Sequence, residues 1–96
     1  MLIYKTPHSN EETAVYLKRS TYRNGNISLQ LYDAQEHYPF ATCTVNHDSL
    51  EEGEVAIKNY SENEGMLNFL LLEELINPPH RHIQSGFVKI PVCKLK

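Results

Sequence analysis

Apolar and polar residues alternate along most of this chain, and this pattern predicts a structure built mainly from β-strands. The cleanest alternation is in residues 27–32, whose aliphatic side chains fall on one face of a strand. Residues 13–22 are rich in strand-forming side chains, and Asn24-Gly25 stands between the two stretches. Asn-Gly favours the positive φ angles of a type I′ turn, so the pattern predicts a β-hairpin here.

Further stretches with strand character lie on both sides of this hairpin. Residues 40–45 and 54–58 predict a third and a fourth strand, and residues 86–95 predict the last one. The start of the chain allows one more short strand at residues 2–5. Pro91 lacks an amide donor, so we expect the last strand to lie at a sheet edge or to carry a bulge.

One stretch, residues 59–79, has a convincing helical pattern. Ser61 stands at the expected N-cap and Glu64 follows three residues later, which is the spacing of a capping box. Residues 77–79, Asn-Pro-Pro, supply a stop because neither proline can continue a helix. The sequence therefore predicts a helix over residues 61–77.

The apolar side chains of this predicted helix are not confined to one face. Either the helix is buried on both sides within the fold, or one side contacts another subunit or a protein partner. The polar loop expected at residues 77–85 would cover such a helix poorly. The apolar residues in question are Met66, Leu67, Phe69, Leu70, Leu71, Leu72, Leu75 and Ile76.

The order of the predicted elements is β-β-β-β-α-β. One helix packed on one face of a mostly antiparallel sheet of four or five strands buries the apolar faces of both. The sequence therefore predicts the α+β class. A chain of 96 residues is long enough for one such domain and too short for two ordinary ones, so we expect a single domain over residues 1–96.

Composition narrows the classes of function. The formal net charge is −3, with 9 Lys and Arg against 12 Asp and Glu, and there is no basic block. This balance argues against binding to nucleic acid, which requires clustered cations. No stretch approaches the roughly 18 apolar residues of a membrane span. The first residues lack the basic and apolar regions of a secretory signal, so we expect a cytoplasmic protein.

The two cysteines and two of the histidines are the side chains that could take part in catalysis or bind a metal ion. Cys43 and Cys93 lie in strand-like runs, and we interpret them as small buried apolar residues and not as a redox pair or a nucleophile. His80 and His82 could form half of a metal site. A zinc site needs three or four ligands, so we favour exposed loop histidines and expect no metal and no cofactor.

The middle of the chain is acidic. The glutamates of this region have two interpretations. They could form a solvated face and a helix start, or they could form a patch that contacts a basic surface or imitates a phosphate backbone. They are Glu51, Glu52, Glu54, Glu62, Glu64, Glu73 and Glu74.

Two segments, residues 54–65 and 85–95, resemble a known family. The run Tyr-Ser-Glu-Asn-Glu-Gly-Met-Leu at residues 60–67 and the run Ser-Gly-Phe-Val at residues 85–88 are similar to the signature of small bacterial and phage proteins of unknown function. These proteins are often carried on mobile elements. The resemblance covers residues 39–95, and Asn59 replaces the family's Asp. It implies a shared fold and points to residues 60–65 as the signature, without an activity to transfer.

Three hypotheses about function follow. We favour a non-enzymatic accessory protein of a mobile element that binds a protein partner or forms a homodimer. The alternatives are an acidic inhibitor of a host defence or nucleic-acid enzyme, and an enzyme with a site near Tyr60, Glu62 and Glu64. We identify no catalytic residue. The candidate binding residues are Tyr60, Glu62, Asn63, Glu64, Leu67 and Leu71.

Overall fold

The computed structural model describes residues 2–6 and 11–96. Within these residues one α-helix accompanies eight strands, which form two four-stranded antiparallel sheets. This confirms the α+β class, although the strands divide between two sheets. The elements are β1 (Leu2–Lys5), β2 (Glu12–Thr21), β3 (Ile27–Asp33), β4 (Pro39–Thr42), β5 (Thr44–Val45), β6 (Glu54–Ile57), α1 (Met66–Leu72), β7 (Arg81–Ser85) and β8 (Val88–Lys94).

The first sheet has the order β1-β2-β3-β4 and contains the predicted hairpin, β2–β3. The N–H of Tyr22 donates to the carbonyl of Asn26 at 2.8 Å, and the N–H of Gly25 donates to the carbonyl of Tyr22 at 2.9 Å. Of the three residues between Tyr22 and Asn26, Gly25 alone has a positive φ, of 89°. The turn is therefore a three-residue loop with a bulge glycine, and the predicted type I′ turn is wrong.

Cys43 joins the first sheet to the second, whose order is β5-β6-β8-β7. It separates β4 from β5; its N–H donates to Leu29 on β3, and its carbonyl accepts from Lys58, just after β6. Pro91 does not mark an edge strand as predicted, because β8 is an inner strand. Pro91 lies opposite His82 of β7, one residue before the pairing with β6 begins.

The main core is shared by both sheets and α1. Its largest fully buried side chains include Leu29 and Leu31 from the first sheet, Ile57 from the second and Leu70 from α1. Cys43 and Cys93 are both buried in this core, as predicted. A second, smaller cluster consists of Ala56, Ile83, Ile90 and Val92.

The helix begins later than predicted, and the capping box is wrong. Ser61 has a φ of 54° and opens a short 3₁₀ turn, Ser61–Asn63, in which no side chain caps the backbone. Gly65, with a φ of 95°, then redirects the chain before α1 starts. The side-chain oxygen of Asn59 accepts the N–H of Leu67 at 2.9 Å, so Asn59, and not Ser61, satisfies a donor in the first turn of the helix.

The helix also ends earlier than predicted. Glu74 has a φ of 57°, which a continuing helix cannot accommodate, and Ile76 forms a bridge with Leu95 beyond the end of β8. Pairing with the second sheet therefore ends the helix before the prolines are reached. α1 has seven residues, and among the described residues no helix has the length and apolar character of a membrane span.

Candidate functional site

The six candidate binding residues fall into different environments. Asn63 is buried, and its side-chain amide donates to the carbonyl of Thr42 at 2.6 Å. Leu67 and Leu71 are half-buried and pack against the main core. These three side chains therefore hold the 3₁₀ turn and α1 in place.

Tyr60 and Glu62 lie close to Lys58. The ammonium of Lys58 donates to the Glu62 carboxylate at 2.6 Å and lies 6.0 Å from the centre of the Tyr60 ring. This hydrogen bond lowers the pKa of Glu62 and raises the pKa of Lys58. A carboxylate that stays ionised is a poor proton donor at neutral pH, so Glu62 does not show the raised pKa that suits a general acid. Tyr60 itself packs against the second cluster.

Glu64 lies at a cleft of about 410 Å³ between β1 and α1, which we call the edge groove. The ring of Phe69 contacts Tyr4 edge to face at 5.0 Å. Leu72 is 75% exposed and Ile3 is 47% exposed, although both are large apolar side chains. The edge groove is lined by Ile3, Tyr4, Lys5, Glu64, Gly65, Asn68, Phe69, Leu72 and Glu73.

Among the described residues, no strand pairs with β1 on the side away from β2, because β1 is the edge strand of its sheet. Hydrogen-bonded and non-hydrogen-bonded pairs alternate in an antiparallel ladder. The N–H of Thr6 donates to the carbonyl of Glu11 at 3.0 Å, next to the Lys5–Glu12 pair. The alternation therefore directs the N–H and C=O groups of Ile3 and Lys5 away from β2, towards the open edge.

A second cleft of about 380 Å³ lies on the other side of Tyr4. Glu62 and Asn63 line it together with Lys58, Thr42 and Phe40. Since Glu62 and Lys58 are paired with each other and the amide of Asn63 is bound to Thr42, these polar groups already have partners. This cleft therefore offers fewer free polar groups than the edge groove.

Sequence reasoning missed a polar cluster around Glu54, which is only 3% exposed. Arg81 donates from Nη2 to Oε1 at 2.7 Å and from Nε to Oε2 at 3.2 Å. The N–H of Glu51 donates to Oε1 at 2.9 Å, and His80 Nε2 lies 2.5 Å from Oε2. These bonds, above all those from Arg81, hold the pKa of Glu54 well below its usual range. The carboxylate is thus fully engaged, and we assign this cluster a structural role.

Metal and thiol chemistry gain no support from the arrangement of side chains. Residues 2–6 and 11–96 contain no group of three or more His, Cys, Asp or Glu that could hold a metal ion. His82 is exposed on β7, whereas His80 contacts Glu54. Burial raises the pKa of Cys43 to about 12 and that of Cys93 to about 11, which is opposite to the shift that activates a nucleophilic thiol.

Comparisons with protein-family models, curated proteins and solved structures gave no match to this chain. The geometry of the described residues is therefore the basis for the assignment of function that follows.

Proposed function

We propose that this chain works by binding an extended segment of another polypeptide in the edge groove. The segment adds to β1 as a further strand, and one of its side chains packs between β1 and α1. The observation that carries the proposal is the edge of β1, where Ile3 and Lys5 line the groove and direct their N–H and C=O groups away from β2. Extended peptides commonly bind by adding to such an edge.

The apolar side chains of the edge groove support the same function. Leu72 and Ile3 are exposed, Phe69 is half-buried and Tyr4 is buried, and all four side chains line the cleft. The volume of about 410 Å³ is within the range of ligand-binding clefts. A bound strand would remove this apolar surface from water and contribute about 25 cal/mol per Å² buried, before the cost of ordering two bodies.

The properties of β1 favour a specific acceptor over indiscriminate pairing. β1 has four residues and carries Lys5, and short, charged edge strands resist uncontrolled edge-to-edge association. Strand addition at β1 therefore needs contacts beyond the backbone, and α1 provides them through Phe69 and Leu72.

The acidic-inhibitor hypothesis receives less support. Glu54 is buried against Arg81, and Glu62 is paired with Lys58, so two glutamates of the acidic segment are neutralised within the chain. A mimic of a phosphate backbone depends on carboxylates that remain free on one surface.

A phage-displayed library of random dodecapeptides tests the proposal. We expect the wild-type chain to enrich peptides that Leu72→Ser does not bind, because the variant removes an exposed apolar side chain from the edge groove. Ile3→Pro removes one outward N–H without touching the bonds to β2, and we expect it to abolish binding as well.

Two matched controls accompany these variants. Ile3→Val keeps both the outward N–H and an apolar side chain, and Phe87→Ser removes an apolar side chain that is fully exposed outside the groove. Both should bind the selected peptides as the wild type does. Equal binding by wild type, Ile3→Pro and Leu72→Ser, or no enriched peptide at all, would overturn the proposal.

Light scattering at micromolar concentration tests the alternative that a second copy of this chain, and not another polypeptide, occupies the edge groove. A dimer that Ile3→Pro dissociates and Ile3→Val preserves would mean that two β1 edges pair with each other.

A further inference from the structure

The edge groove carries a negative charge at each end of α1. Glu64 precedes α1 and Glu73 follows it, and both line the groove. Neither carboxylate makes an ion pair within the part of the chain that the structure describes. Of the described residues that line the groove, Lys5 is the sole cation, so the lining has an excess of negative charge.

The length of α1, which separates Glu64 from Glu73 along the chain, suits an extended peptide. α1 has seven residues and is therefore about 11 Å long, and Glu64 and Glu73 lie just beyond its ends. Side chains at positions i and i+4 of a strand point to the same face and lie about 13 Å apart. The side chain at position i+2 lies midway between them, and Phe69, which lies at the middle of α1, also lines the groove.

We propose that the groove selects a segment with Lys or Arg at two positions four residues apart and an aliphatic or aromatic residue midway. This inference rests on the proposed function and gives the chemical class of its partner. The two cations neutralise Glu64 and Glu73, and the apolar side chain packs against Phe69 and Leu72. The chain's own net charge of −3 also favours the approach of a basic partner.

The sequence of this chain points to a different protein as the source of the segment. Among its Lys and Arg residues, Arg19 and Arg23 alone are four positions apart, and the residue midway between them is Thr21, which is polar. Arg19 and Thr21 also belong to β2, whose two neighbours are β1 and β3. No segment of the chain therefore supplies the basic–apolar–basic pattern to a second copy.

The peptides selected from the dodecapeptide library test this inference. We expect Lys or Arg to be enriched at two positions four residues apart with an apolar residue midway. A synthetic copy of a selected peptide should bind Glu64→Gln and Glu73→Gln about two- to fivefold more weakly than wild type, as expected for exposed ion pairs. Raising the salt concentration from 50 to 500 mM should weaken binding to the wild type and reduce this difference.

Glu74→Gln is the matched control, because Glu74 is an exposed carboxylate next to Glu73 that does not line the groove. It should bind the peptide as the wild type does. Selected peptides that depend on Ile3 and Leu72 but lack the basic pattern would overturn this inference and leave the proposed function in place. The absence of any enriched peptide, or dimerisation through β1, would overturn both.

Discussion

At the scale of single residues, Glu54 is a buried charged group with several hydrogen-bond partners. It is the first residue of β6, a strand whose four residues are all buried, and its carboxylate accepts hydrogen bonds from Arg81, His80 and the backbone of Glu51. Arg81 also donates to the carbonyl of Ser49 at 3.0 Å. This arrangement fixes the loop before β6 to the start of β7, so we expect it to contribute to folding stability.

Glu54→Gln should lower the free energy of unfolding at pH 7 by about 1–3 kcal/mol, because Arg81 loses a charged acceptor at a buried position. The folded pKa of Glu54 lies below the unfolded value of about 4.5. Its contribution is therefore fully present above pH 4.5 and is lost as the pH falls towards the folded value. Urea unfolding at pH 7 and pH 3 should show a smaller acid-induced loss in the variant than in the wild type.

The control is Glu62→Gln, which disrupts the exposed ion pair with Lys58 and should change stability little. An equal loss of stability between pH 7 and pH 3 in wild type and Glu54→Gln would contradict the assignment.

The contacts of Glu54 could not be predicted from the sequence because they are long-range. His80 lies 26 residues away along the chain and Arg81 lies 27 residues away. Glu54 did carry a weak signal, since it directly precedes the apolar run Val55-Ala56-Ile57 of a predicted strand. A charged side chain that is buried beside such a run needs a partner of opposite charge, but no pattern in the neighbouring sequence identified Arg81 as that partner.

At the scale of elements, the start of α1 depends on asparagine side chains. Asn63→Ala should lower stability by about 1–3 kcal/mol, because the carbonyl of Thr42 loses its 2.6 Å donor next to the core. Ser61→Ala should stay within about 0.5 kcal/mol of wild type, because no side chain caps the 3₁₀ turn. Urea midpoints of the two variants provide the measurement, and a larger loss in Ser61→Ala would restore Ser61 as the cap.

The β2–β3 turn depends on the positive φ of Gly25. Gly25→Val should destabilise the protein by about 1–2 kcal/mol, because a β-branched residue is strained at a φ of 89°. A Cβ at this position would meet no atom within 4 Å, so the backbone alone determines the effect. Gly25→Asn should be milder, because Asn tolerates this conformation. Thermal unfolding measures the stability of both variants. A Gly25→Val variant as stable as Gly25→Asn would contradict this account.

Local patterns predicted most strands but not the extent of the helix. The hairpin could be found because alternation and Asn24-Gly25 lie within one short stretch. The helix was extended too far because residues 73–76 favour helix locally, whereas Ile76 instead pairs with Leu95. The edge groove was missed because it combines β1 with α1, elements that lie far apart along the chain. Glu64 was the one candidate binding residue that lies in it.

At the scale of the whole molecule, the two sheets should unfold together. The segment from β4 to β5 contributes to both sheets through Cys43, and the main core contains side chains from both. Neither sheet can bury its apolar face without the other. We therefore expect one cooperative transition, with no stage in which the second sheet is lost and the first persists.

The two cysteines allow this cooperativity to be measured. Cys43 lies at the junction of the sheets and Cys93 lies on β8, and both are fully buried. Because burial raises their pKa values to about 12 and about 11, neither thiol should react with a disulfide reagent at pH 8 in the folded state. Labelling at increasing urea concentration, followed by mass spectrometry, should give the same opening free energy for both.

Ile83→Ala makes this test more demanding, because Ile83 belongs to the second cluster and not to the main core. The cavity should lower the free energy of unfolding by about 2–5 kcal/mol. If the molecule unfolds as one unit, labelling of Cys43 should accelerate as much as labelling of Cys93, although only Cys93 lies on β8, the strand that pairs with β7. Faster labelling of Cys93 alone would mean that β7 and β8 open separately while the first sheet and α1 stay folded.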